Sequence, residues 1–161
     1  MAVSGELFWA ALGDWASGVT IVTSRNASGI HGMTVSAFAS VSLDPPLVLV
    51  CADKSSDTHG VIADSGVFAV NLLTQDQQAL SNKFAASKDE HLRFEGVAWS
   101  ERETGAPLLD EALASLDCSV QAAHDAGDHV IYVGEVLAVE RREGEALLYY
   151  RSRYRALSDA G

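Results

Sequence analysis

The residues best suited to do chemistry lie in one run, His31-Gly-Met-Thr-Val-Ser-Ala-Phe-Ala-Ser-Val-Ser-Leu-Asp-Pro-Pro-Leu-Val-Leu-Val50. Here the small hydroxyls of Thr34, Ser36, Ser40 and Ser42 are interleaved with strand-forming apolar residues, among them Val35 and Ala37. From Gly32 to Leu43 there is no charged residue and no glutamine. A strand with a solvated polar face ordinarily carries some charge. Small uncharged residues suit a covered face instead. A flat ligand can lie close to the backbone there, its polar rim met by hydroxyls and free N–H groups.

Four further groups could assist. Asp53-Lys-Ser-Ser-Asp-Thr58 offers the Lys54 charge and the hydroxyls of Ser55, Ser56 and Thr58 ahead of a short helix. Those are the parts of a phosphate site. They are equally an N-cap cluster for a helix over His59–Ser65. Gly127-Asp128-His129 reads as a turn entering a strand, where His129 is either incidental or a donor to a ligand ring. Arg151, Arg153 and Arg155 stand among Tyr149, Tyr150 and Tyr154, and Lys83, Lys88 and Arg93 form a looser basic group. Either set could meet the phosphates of a dinucleotide, or simply charge a solvated edge strand.

Other chemistries lack their signatures. There is no G-x-S-x-G, no P-loop and no G-x-G-x-x-G. His31, His59, His91, His124 and His129 are scattered without metal-ligand spacing, so no metal site is expected. Cys51 and Cys118 form no C-x-x-C pair and read as buried thiols of a reducing compartment. Net charge is −11, which argues against a nucleic-acid partner. The N-terminus lacks the pattern of a signal peptide, and no apolar run approaches the ~20 residues of a membrane span. A cytoplasmic location is expected.

The elements that must position these residues follow from the pattern. One domain is expected over residues 1–161, with a tail that frays from about Ser158 to Gly161. Ser4 caps a helix from about Gly5 to Ala16 whose Leu7, Phe8, Ala11, Leu12 and Trp15 share a face. Strands are expected at Val19–Ser24, Gly32–Val41 (bent or interrupted), Leu47–Ala52, Val67–Leu73, Ala114–Ala122, His129–Glu140 and Ala146–Arg151. Gln75–Ala85 is helical, and Ser87–Trp99 is irregular. Strands joined by short turns, with few helices, predict a mainly β fold whose antiparallel sheet closes into a barrel.

With these residues in hand, the chain resembles the short-chain flavin reductases, the reductase components of two-component flavin-dependent monooxygenases. The resemblance rests on Ala16-Ser-Gly-Val-Thr-Ile-Val-Thr23, Gly32-Met-Thr-Val-Ser-Ala-Phe38 and Ser40-Val-Ser-Leu-Asp-Pro-Pro-Leu-Val-Leu-Val50. It continues in Phe68-Ala-Val-Asn-Leu-Leu73, Lys83-Phe-Ala85, Gly127-Asp-His129 and Leu148-Tyr-Tyr-Arg-Ser-Arg-Tyr154. Seven stretches in order, from about Phe8 to Tyr154, make it specific.

The resemblance implies an antiparallel split β-barrel with a few flanking helices, binding FMN or FAD and usually a homodimer. It implies hydride transfer from NADH or NADPH to the flavin, with His129 beside the nicotinamide, and reduced flavin diffusing to a partner oxygenase. By the same resemblance Thr34, Val35, Ser36, Ala37, Ser40 and Ser42 meet the flavin. Asp53, Lys54, Ser55, Ser56 and Thr58 form the phosphate loop, Lys83 and Phe84 flank the ring, and Arg151 and Tyr154 close the site. One residue departs: Ser152 stands where the family often has Gly, a change expected to matter little. A non-catalytic flavin-binding or electron-carrier module of the same fold is the alternative.

Overall fold

Val, Ile and Thr recur along the longer strands and are densest at Thr20–Thr23. In the computed structural model, which describes residues 2–158, three α-helices and twelve strands alternate along the chain. The other residues of the expected frayed tail, 159–161, lie outside the described residues. The elements are α1 (Gly5–Gly13), β1 (Ser17–Gly18), β2 (Thr20–Asn26), β3 (Gly29–Val35), β4 (Phe38–Leu43) and β5 (Pro46–Asp53). There follow α2 (Asp57–Ser65), β6 (Val67–Leu72), α3 (Gln78–Ala85), β7 (Trp99–Ser100) and β8 (Leu108–Leu109). The last four are β9 (Ala114–Ala126), β10 (His129–Arg141), β11 (Leu148–Tyr150) and β12 (Arg153–Arg155).

Seven strands form one antiparallel sheet in the order β3-β2-β6-β9-β10-β5-β4. The closed barrel expected from the strand pattern is not formed, because β3 and β4 are its two edges and no ladder joins them. The chain leaves the ladder at Ser36–Ala37, which splits the expected Gly32–Val41 strand in two. Only those two residues connect the edges, so covalent geometry keeps the Cα atoms of Val35 and Phe38 within roughly 11 Å. One core cluster draws on six of the seven strands and on α2: Val22, Met33, Val50, Ile62, Phe68, Val70, Cys118 and Tyr132 are among its members.

A buried polar knot fixes the other side of β2 and β6. Asn71 is fully buried. Its amide donates to the Ile21 carbonyl (3.0 Å) and the Thr23 hydroxyl (3.2 Å), and its Oδ1 accepts from Leu109 N–H (2.8 Å) and the Ser115 hydroxyl (2.8 Å). Every hydrogen-bonding position that a buried amide must fill is therefore met. Burial of the Cys118 thiol pushes its pKa up to about 12, which keeps it protonated and inert.

Some boundaries differ from expectation. Ser4 caps α1 by accepting from Leu7 N–H (3.3 Å), but the helix stops at Gly13 and none of its residues is buried. Its apolar face does not enter the core. The hairpin tip between β9 and β10 is the two residues Gly127–Asp128, so β9 runs four residues past the expected Ala122. The expected final strand is a hairpin of β11 and β12, paired with β1 in a three-stranded sheet. Its tip, Arg151–Ser152, has both residues left-handed (φ 49° and 59°), the geometry of a two-residue hairpin turn that Gly and Asn favour.

Two substitutions test this frame. A Cβ on Gly134 would stand 2.6 Å from Phe68 Cε1 and 3.0 Å from Cys118 Cβ, and both neighbours are fully buried. Gly134→Ala is expected to destabilise the fold by about 1–3 kcal/mol, the range for overpacking, whereas Gly60→Ala, with open space around it, does not overpack. Urea melts of both variants check this, and an unshifted midpoint for Gly134→Ala would contradict the packing. Ser152→Gly relieves roughly 1–2 kcal/mol of left-handed strain and gives back roughly 0.4–1 kcal/mol as unfolded-state freedom. A net stabilisation of about 0.5–1 kcal/mol is expected in the same melts, and a loss of stability would show that the serine makes a compensating contact.

Candidate functional site

The break between β3 and β4 is where the cavities meet. Ser36 borders three of them, of about 270, 480 and 370 Å³. Ser36 and Ala37 are both exposed and both small. Thr34, one turn of the pleat earlier, borders the 370 Å³ cavity and donates to the Ser81 carbonyl of α3 (2.6 Å). Across the same cavity the Tyr154 hydroxyl bonds Asn82 Oδ1 (2.8 Å) and Ser81 Oγ (2.9 Å), so β12 and β3 both grip α3. Tyr149 and Tyr154 meet edge to face, with ring centroids 5.3 Å apart, and form an aromatic wall.

Strand register brings the Asp53–Thr58 loop and Gly127–His129 to the same end of the sheet as Ser36–Ala37. Phe38 pairs with Val50, and Cys51 N–H donates to the Ala37 carbonyl (3.1 Å). Two residues on, Asp53 pairs with His129. The start of β4, the end of β5 and the start of β10 therefore lie side by side, although Ser36 and His129 are far apart in sequence.

The loop after β5 is tied to the β9–β10 hairpin tip at several points. Lys54 N–H donates to the Asp128 carbonyl (3.0 Å), Lys54 Nζ donates to the Gly127 carbonyl (2.6 Å), and Nζ also pairs with Asp125. Ser55 donates both its N–H and its hydroxyl to Asp53 Oδ1 (2.7 Å each), which holds that carboxyl below its ordinary pKa. Ser56 caps α2 by accepting from His59 N–H (3.1 Å). His129 Nδ1 lies 2.7 Å from Asp128 Oδ1, and this contact lowers the Asp128 carboxyl pKa. One ring nitrogen is thus taken by Asp128, and the imidazole is half-exposed.

Not every expected site residue lies at this surface. Val35 and Phe84 are core residues, Phe84 being fully buried edge to face with Phe94 (5.1 Å). Thr58 is 1% exposed in the first turn of α2, which withdraws its hydroxyl from an incoming phosphate. Lys83 donates to the Glu95 carbonyl (2.5 Å) and leaves that flank of the site to Ser81, Asn82 and Ala85. Ser40 and Ser42 straddle a bulge against β5 and border none of the three cavities. Arg151 is on the rim, but its Nε is bonded to Asp14 Oδ1 (2.7 Å).

Trp15, Ser17 and Phe38 line the site without having been singled out for it. Nothing in local spacing marks them, since their place follows from β1 pairing with β11 across more than a hundred residues. A larger cleft of about 720 Å³, between Thr74–Leu80 and Arg142–Glu145, holds none of the expected site residues. Among the described residues no group of three or more His, Cys, Asp or Glu could hold a metal ion, and no helix is long and apolar enough to cross a membrane.

The flavin reductase-like domain matches residues 12–158. The reductase subunit HsaB of a flavin-dependent monooxygenase from Rhodococcus jostii is 38% identical over 154 residues, 95% of this chain and 78% of that one. The FMN reductase (NADH) SmoA of Agrobacterium fabrum is 44% identical over 139 residues, 86% of this chain and 78% of that one. Among solved structures, the NADH:FAD oxidoreductase of Streptomyces globisporus, in complex with NAD and FAD fragments, superposes with a TM-score of 0.89. It is 34% identical, with 98% of this chain and 97% of that one covered. A domain match over residues 12–158, nearly the whole chain, places this chain in the flavin reductase-like family.

Proposed function

We propose that this protein is an NADH-dependent flavin reductase that supplies reduced FMN or FAD to a separate oxygenase. The observation that carries the reading is the Ser36–Ala37 break. It is an uncharged step between two sheet edges, opening on three joined cavities and one strand-end away from His129. Relatives named as NADH-dependent FMN and FAD reductases support the choice of substrates.

The residues present fit a flavin. Small side chains at Ser36 and Ala37 let a planar ring approach the backbone, and aromatic Phe38 and Tyr149 flank it. Lys54 and Ser55 would hold the phosphate at the loop before α2. When bound, the two ligands supply the chemistry themselves, a hydride passing from NADH to the flavin ring and a solvent proton completing the reduction. The chain's task is to hold two rings face to face and to exclude water, which makes an encounter in solution a local event. His129, oriented by Asp128, offers its other ring nitrogen to the nicotinamide side.

The same reading takes the seven-stranded sheet as a split barrel. Its two edges are tied at Ser36–Ala37, and its inner faces share one core. It also takes the protein as a homodimer. The outer face of β5 and β10 pairs Leu49 with Val133 and Cys51 with Ile131, all half-buried, with exposed Leu137 and Val41 at the neighbouring bulges. An apolar sheet face of this extent suits a second copy of itself. Two free thiols are consistent with the cytoplasm.

Steady-state NADH oxidation with and without added FMN tests the function. Turnover well above protein-free flavin is expected, and a bound flavin without acceleration would make the protein a carrier module instead. His129→Ala is expected to lower kcat/KM for NADH by about tenfold or more, as loss of a positioned donor does, while the FMN dissociation constant moves less. Equal loss of both would remove His129 from the nicotinamide side. Lys54→Ala with Ser55→Ala is expected to weaken FMN by about tenfold relative to riboflavin, the worth of a charge-assisted phosphate contact. Equilibrium titration of both ligands reads this, and the same loss for each would move the phosphate elsewhere.

A further inference from the structure

Arg93 is a cation where cations are seldom found: it is 7% exposed, between the end of α3 and the free edge of β3. Its Nη1 donates to the Gly32 carbonyl (2.8 Å) and its Nη2 to the Ala86 carbonyl (2.6 Å), with Glu90 Oε1 3.3 Å from Nη2. Among the described residues its Nε has no partner. A buried charge with an unfilled donor is a poor source of net stability. What the position does gain is a rigid fork that holds two backbone carbonyls at a fixed separation.

Those two carbonyls belong to the two walls of one cavity. A Cβ on Gly32 would stand 2.9 Å from Phe84 Cε1, so α3 lies directly on the strand backbone there. Thr34, two residues further along β3, and Ser81, Asn82 and Ala85 of α3 border the 370 Å³ cavity, and Ala86 caps the helix. The Thr34 and Tyr154 hydrogen bonds hold the middle of α3, at Ser81 and Asn82, and leave its end to Arg93. The segment that carries Arg93 is itself fastened to α3, since Lys83 donates to the Glu95 carbonyl (2.5 Å) and Phe84 meets Phe94 edge to face.

From this geometry we infer that Arg93 is a positioning residue, whose guanidinium sets the spacing of α3 from β3 and with it the width of the 370 Å³ cavity. The inference rests on the reductase reading, which makes that cavity part of the ring site. In sequence Arg93 belongs to a basic group that could meet phosphates, but its donors are turned onto the backbone instead. A lysine in its place keeps the charge and loses the fork, because one ammonium has no planar pair of donors for two carbonyls. The end of α3 is then free to drift, and a misplacement of about 1 Å is enough to spoil the fit of a bound ring.

Equilibrium titration with FMN, steady-state NADH oxidation and amide hydrogen exchange test this. Arg93→Lys is expected to raise the FMN dissociation constant and KM about tenfold, while kcat at saturating FMN stays within about twofold. A residue that serves stability alone would do the reverse, lowering the amount of folded enzyme and the apparent kcat without moving KM. Arg93→Ala leaves room for the missing group, so added ethylguanidinium is expected to bring the FMN dissociation constant most of the way back, and ethylammonium at the same concentration is not. In Arg93→Lys the amides of α3 are expected to exchange faster than in the parent, with those of β6 and β9 unchanged.

The inference is overturned if the FMN dissociation constant and KM of Arg93→Lys stay at the parent values, or if the two additives act alike on Arg93→Ala. A parent protein that neither binds FMN nor oxidises NADH with it would sink the reductase reading instead. Hydrogen exchange would still decide the role of Arg93: faster exchange confined to α3 supports it, and exchange raised equally in α3, β6 and β9 overturns it.

Discussion

Two residues tie the edges of the main sheet together, and the rest of the structure is arranged around that tie. Because Ser36 and Ala37 are the whole connection between β3 and β4, the first and last strands of a seven-stranded sheet cannot move apart. A flat sheet of seven strands would separate its edges by roughly 28 Å at the usual strand spacing. The covalent limit is less than half of that. The sheet must bend, and its inner faces then have no partner but one another and α2. The membership of the main core follows, with Val22, Val35, Val50, Phe68, Cys118 and Tyr132 meeting although they come from six different strands.

Bending also explains where the polar residues go. The connection keeps only two backbone bonds, Cys51 N–H to the Ala37 carbonyl (3.1 Å) and Phe38 N–H to the Ser36 carbonyl (3.0 Å), and the Ser36 side chain remains exposed. A large side chain would fill the gap, whereas serine and alanine leave it as three connected cavities. Gly134 plays the complementary part inside, where Phe68 and Cys118 occupy the space a side chain would need. The cavity and the close packing thus have one origin: a sheet that is curved sharply keeps its smallest residues where the curvature leaves least or most room.

Much of this was legible along the chain, because it depends on local patterns. The β-branched runs, the Ser4 cap, the N-cap cluster ahead of α2 and the uncharged run through Ser36 each act over a few residues. What was not legible depends on pairing at long range. The β11–β12 hairpin carries two left-handed residues with neither Gly nor Asn at its tip, so its turn was hidden. Thr58 and Phe84 sit in stretches that face the site, and only packing reveals that their side chains turn inward. Apolar spacing in α1 predicts a buried face, and the helix has none, because the core is already filled by the sheet's own strands.

The charges complete the physical picture. An acidic chain of net charge −11 is a poor host for anionic ligands, and two of its cations near the site already have partners. Lys54 is held by Asp125 and Arg151 by Asp14. A phosphate arriving at either must take the place of a carboxylate, so each new contact is set against one that is lost. These pairs are exposed and individually weak, which makes the exchange possible but keeps its net gain small. On the proposed function that balance is useful. A reductase that must release its reduced flavin is served by a ring surface made of small neutral residues and by cations that already have partners. Tight, unopposed phosphate binding would retain the product the enzyme has to give away.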